Sequence, residues 1–153
     1  MAWDQFMLEK DVILSKISII KNCLSRIKTA TKLNPASLDD YTIQDVVVLN
    51  LQRAIQAAID LTNIIIAENN FRLPNSYKMG FYILNENGWI DGETCKRMQK
   101  MVGFRNISIH DYQEINIDIL KSILTKHLDD FESFYQQVLK LFSNPSSSSS
   151  QSG

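Results

Sequence analysis

The chain has 153 residues, 44% hydrophobic and 22% charged, with 16 basic against 17 acidic side chains and a formal net charge of −1. That length fits one domain with a sizeable core, and the balanced charge excludes nucleic-acid binding through a global positive excess, leaving only a local patch. No apolar run approaches the ~20 residues of a membrane span, no secretory signal opens the chain, and the isolated Cys23 and Cys95 read as reduced thiols of a cytoplasmic protein.

Residues 3 to 31 are expected to form a first helix. Phe6, Ile13, Ile17, Ile20, Leu24 and Ile27 recur at helical spacing, with Lys10, Lys16, Lys21, Arg26 and Lys28 on the solvated side. Asn34-Pro35 ends it, and Ser37 to Asp40 reads as a loop. Thr42 with Asp45 three residues on looks like the next helix start. From there to Asn69 the stripe Val47, Leu51, Ala54, Ala58, Leu61 and Ile65 is widened by Ile55, Ile59 and Ile66, which marks a central helix. Asn50, Gln52, Arg53, Gln56 and Asp60 are its polar positions.

Ser76 is expected to cap a short helix over 77–86 with Phe81 and Leu84 inward, stopped by Asn87-Gly88. Asp91-Gly92-Glu93 opens a fourth helix. Its stretch from Thr94 to Ser108 carries Lys96, Arg97, Lys100 and Arg105 and no acidic residue, a positive approach suited to an anionic substrate. Asn116 caps a last helix to Phe142, with Leu120, Leu124, Leu128, Phe131, Tyr135, Val138 and Phe142 as its apolar stripe and His127 as a surface histidine. Residues 143–153, rich in serine, cannot bury surface and are expected to be disordered. The reading is an all-α, mostly up-and-down bundle of four long helices and one short one, filling residues 1–142.

The chemistry concentrates in Arg105, Asn106, His110, Asp111 and Tyr112. An arginine grips phosphate oxygens with two donors, and an imidazole moves protons near neutral pH. No Gly-rich phosphate loop, metal-binding His-Glu helix, Cys-x-x-Cys or carboxylate cluster for Mg²⁺ accompanies them. The candidate reaction is therefore metal-independent and cofactor-free RNA cleavage, in which the 2′-hydroxyl attacks. His110 would transfer protons, Arg105 would stabilise phosphoryl charge and Asn106 would orient either one. Arg105 and His110 stand about 140° apart on a straight helix. They converge only if the helix ends or bends near His110, or if a second copy supplies the other half. Spacing alone leaves a structural pair open.

Arg105 to Tyr112 matches the R-x-x-x-x-H-x-Y motif, and the sequence resembles HEPN-domain proteins, in particular the HepT ribonuclease toxins. Asn50 to Asp60 resembles that family's central helix, Pro74-Asn75-Ser76-Tyr77 with Phe81 and Leu84 its short helix, and Gly103 to Asn106 with His110 to Tyr112 its signature. The similarity covers roughly residues 5 to 142. The resemblance implies a homodimer whose two Arg105 and two His110 line one cleft, acting as a metal-independent endoribonuclease toxin. It also implies a partner antitoxin, an MNT-type (MntA-like) nucleotidyltransferase that transfers AMP to Tyr112. Phosphate there would put negative charge into a cationic cleft. Lys96, Arg97 and Lys100 are the candidate substrate contacts, and Gly103 is a place where another backbone can approach closely. The competing reading is a non-catalytic nucleotide- or substrate-binding partner of a nucleotidyltransferase.

Overall fold

The computed structural model describes the backbone of residues 2–143 and side chains from Lys10 onward. The side chain of Phe6 and residues 144–153 of the expected tail lie outside what is described. Six helices follow one another: α1 (Ala2–Thr31), α2 (Tyr41–Glu68), α3 (Tyr77–Glu86), α4 (Gly92–His110), α5 (Ile117–Ser122) and α6 (Leu128–Phe142). The last two are one expected helix, interrupted by a π-helical turn over Ile123–His127.

Local chemistry sets the boundaries. Asp40, and not Thr42, caps α2, accepting from the Thr42 N–H at 2.8 Å and from that of Ile43. Asp40 follows a 3-10 turn over Pro35–Asp39 in place of the plain loop expected, and this turn carries Leu38 fully buried in the core. Ser76 caps α3 through the Met79 N–H at 3.1 Å, and Gly88 leaves it at φ 79°. Asp91 caps α4 through the Thr94 N–H at 2.8 Å, and this bond holds its carboxyl below the usual carboxylate range. Each such cap stabilises by about 1 kcal/mol.

The long apolar α2 is central and packs against α1, α3, α4 and α6. Its whole stripe is buried, and Asn50, expected among the polar positions, is buried with it. Its amide donates to the Val46 carbonyl at 2.8 Å. Phe81 of α3 meets Phe134 of α6 edge to face, with ring centroids 5.6 Å apart. Cys23 and Cys95 are buried free thiols whose pKa burial pushes up, which makes both poor nucleophiles.

Gly80 lets α3 approach α2 closely: a Cβ there would lie 3.2 Å from Thr62 Cγ2. Gly80→Val is therefore expected to overpack this contact at a cost of about 1–3 kcal/mol. A melting curve should show a midpoint several degrees lower. An unchanged midpoint would mean that α3 is free to shift.

Candidate functional site

Three faces of α2, α3 and α4 build the site. On α2, Gln52, Gln56 and Asp60 follow one another at helical spacing, so all three point to one side. They are half-buried against neighbouring helices. Gln52 donates to Ser108 Oγ at 3.0 Å, and Ser108 Oγ donates to the Arg105 carbonyl at 2.8 Å. Gln56 Oε1 accepts from Arg105 Nη2 at 2.7 Å, while its Nε2 donates to Asp60 Oδ1 at 2.9 Å. Asp60 in turn pairs with Lys16 of α1 at 3.2 Å. An amide suits this position because it accepts from the arginine and donates to the carboxylate at once.

Arg105 is held on two further sides. Its guanidinium carbon lies 5.3 Å from the centre of the Tyr77 ring, and Nη1 donates to Asn106 Oδ1 at 3.3 Å. Its Nε is buried without a partner among the described residues. An unpaired buried donor costs about 1–3 kcal/mol. The arginine is thus placed at some expense to the stability of the isolated protomer.

Asn106 and His110, one helical turn apart, open into a cavity of about 720 Å³. Asn63, Asn75, Tyr77 and Lys78 also line it. Tyr77 lines this space and its ring lies against the Arg105 guanidinium, so the arginine stands next to the cavity. Lys78 has no carboxylate within ion-pair reach among the described residues, so its charge is open to an anion. His110 is the last residue of α4, and the Asp111 N–H closes the helix on the Ile107 carbonyl at 2.8 Å. The helix does end at the histidine, yet within one protomer the arginine faces α2 while the imidazole faces the cavity.

Tyr112 follows in a short 3-10 turn, and its hydroxyl donates to the Asp45 carboxylate on α2. Burial first, then this bond and the Asp45 charge, push its phenol up to about 12. The sign is that of a group kept neutral by folding. Any stability it confers is fully present below the unfolded phenol value near 10 and is lost as pH rises towards 12. The ¹³Cζ resonance of Tyr112 should accordingly titrate near 12 and move part of the way back to 10 in Asp45→Ala, which removes the bond and the charge but not the burial. An identical titration in the variant would deny the bond.

Lys96, Arg97 and Lys100 do not enter the first cavity. They line a second one of about 360 Å³, floored by Met101, Phe104 and Ile123 and reached by His127 and Asp130. His127 lies at the surface with its side chain 43% exposed, and the π turn brings Nδ1 to 3.0 Å from Asp130 Oδ2. Arg97 pairs with the same buried carboxylate at 3.4 Å and with Glu93 at 3.0 Å. Among the described residues no group of three or more His, Cys, Asp or Glu is placed to hold a metal ion, and no helix is long and apolar enough to cross a membrane. Sequence reasoning named Gln52 and Gln56 only as polar positions and passed over Lys78 and Asp45 as site residues. The four-residue spacing on α2 was the available signal for the glutamines.

Comparison with known proteins bears on this arrangement. Residues 20–138 match the family described as "Ribonuclease HepT-like". The chain is 41% identical over 128 residues to the mRNA nuclease HepT of Shewanella oneidensis, covering 84% of this chain and 96% of that protein. Its structure is similar, with a TM-score of 0.80, to a tri-AMPylated Shewanella oneidensis HEPN toxin in complex with MNT antitoxin, at 40% identity over 84% of this chain and 96% of that one. A toxin–antitoxin structure with AMP-PNP matches with a TM-score of 0.79, at 39% identity over 84% and 97%.

Proposed function

This chain belongs to the HepT-like ribonuclease family, and from that premise we propose that it is the toxin of a toxin–antitoxin pair. It cuts RNA in the cytoplasm without a metal ion, in a cleft shared by two copies. A partner nucleotidyltransferase of the MNT type silences it by placing AMP on Tyr112. The observation that carries the reading is the cavity into which Asn106 and His110 open beside the Tyr77–Arg105 stack.

The chemistry follows from what phosphodiester cleavage needs. The 2′-hydroxyl attacks phosphorus and its proton passes to one His110. The bond to the 5′ oxygen breaks, and that oxygen takes a proton from the imidazolium so formed. Arg105 faces the charge that builds on the phosphoryl oxygens, held rigid by Gln56 and Tyr77 so that little reorganisation accompanies the reaction. Asn106 touches Arg105 and shares the cavity with His110, so it orients one against the other. Lys78 adds a cation to the cavity. Lys96 lies within about 40° of His110 in helical angle. With Lys100, it extends a positive track for the RNA backbone, to which Arg97 adds charge while tied to Asp130.

Protein with a bare Tyr112, verified by intact mass, is expected to cleave RNA in excess chelator and to leave 2′,3′-cyclic phosphate ends. Cleavage that needs added metal would sink the metal-free mechanism. Binding of nucleotide or partner without any cleavage would favour the non-catalytic subunit instead.

A further inference from the structure

We propose that Asp45 is the base that takes the phenolic proton of Tyr112 when that tyrosine is adenylylated, an inference that rests on the reading of Tyr112 as the modified residue. The two residues come together from distant parts of the chain: Asp45 from the beginning of α2, Tyr112 from the turn that follows α4. The phenol donates directly to the carboxylate, and among the described residues it has no other hydrogen-bond partner. Both side chains are exposed, Tyr112 at 43%, so an incoming transferase can reach the pair without the fold opening.

The step itself requires such a group. The Tyr112 oxygen forms a bond to the α-phosphorus of a nucleoside triphosphate held by the partner enzyme. The bond from that phosphorus to the bridging oxygen breaks, and pyrophosphate leaves. The phenolic proton passes to Asp45. A phenol that titrates near 12 is ionised in only about one molecule in 10⁵ at pH 7. Prior ionisation is therefore a poor route, and removal of the proton during attack is the efficient one. The carboxylate already sits on the hydrogen that must leave. Asp45 thus works on the first transfer only: once the phenol is esterified there is no phenolic proton, and any further AMP must be added to the nucleotide already attached.

The test uses the full chain with its partner nucleotidyltransferase, ATP and Mg²⁺, following the mass of one added AMP with time. Asp45→Asn is the informative variant, because the amide oxygen still accepts the phenol's hydrogen bond yet cannot take the proton. The first addition is expected to slow ~10²-fold or more, and its rate to climb with pH where the wild-type rate is flat. Asp45→Ala should be slow as well and partly rescued by added formate. Melting curves for both variants verify folding. Wild-type chain modified at the same rate as Asp45→Asn overturns the assignment of the base while leaving Tyr112 as the acceptor. Failure of wild-type chain to gain AMP under these conditions overturns both.

Discussion

His110→Ala is expected to lower RNA cleavage ~10²–10⁴-fold, the range that a positioned proton-transfer group contributes, with the melting curve unchanged. The imidazole stands exposed at the last position of α4 and forms no hydrogen bond or ion pair among the described residues, so its removal leaves nothing unpaired. Arg105→Ala should be comparably inactive but differs in stability. It strips Gln56 Oε1 of its donor and Tyr77 of its cation, for a loss of about 1–3 kcal/mol. Arg105→Lys should not restore activity, since an ammonium lacks the planar fork that grips two phosphate oxygens. Gln56→Leu is the milder probe: the guanidinium stays but loses its anchor, and a drop of about tenfold corresponds to roughly 1.4 kcal/mol of transition-state stabilisation. Single-turnover cleavage with bare Tyr112 reads all four variants. Full activity in His110→Ala would remove the imidazole from the mechanism.

Much of this fold is legible in the sequence because its signals are local. The Ser76 and Asp91 caps, the Asn87-Gly88 stop and the α2 stripe each lie within a few residues of what they control. The π turn over Ile123–His127 is not legible, since the apolar spacing from Leu120 to Val138 runs on as for one helix. Beside it the buried Asp130 pairs with Arg97 of α4 and meets Nδ1 of His127 at the end of the turn, contacts that the apolar spacing does not reveal. The motif residues were also visible, as an unusual density of Arg, Asn, His and Tyr. Their supports were not. Gln56 lies 49 residues from Arg105 and Asp45 lies 67 from Tyr112, and nothing in either sequence neighbourhood points to the other.

Gly103→Leu is expected to convert the protein to a monomer by light scattering and to abolish cleavage, while its helical content and melting point are kept. The argument begins from a contrast between two helical glycines. Gly80 is explained inside the protomer, because Thr62 fills the space a side chain would need. Gly103 is not: a Cβ there would meet only the flexible end of Lys78, at 3.8 Å. Glycine in a helix interior costs about 1 kcal/mol relative to alanine, a cost nothing within one copy repays. Gly103 also lies within about 20° of His110 in helical angle, and Ile107 between them is 47% exposed. A second copy packed across this stripe would find a small residue for close approach and an apolar one for burial, and it would bring its arginine to the first copy's histidine. That last step has its own check. Mixing Arg105→Ala with His110→Ala protein and allowing exchange makes about half of the dimers mixed, each with one intact arginine and one intact histidine in the shared cleft. Cleavage should return in the mixture although neither variant cleaves alone. An inactive mixture with proven exchange, or a Gly103→Leu protein that stays dimeric and active, would place the whole reaction within a single chain.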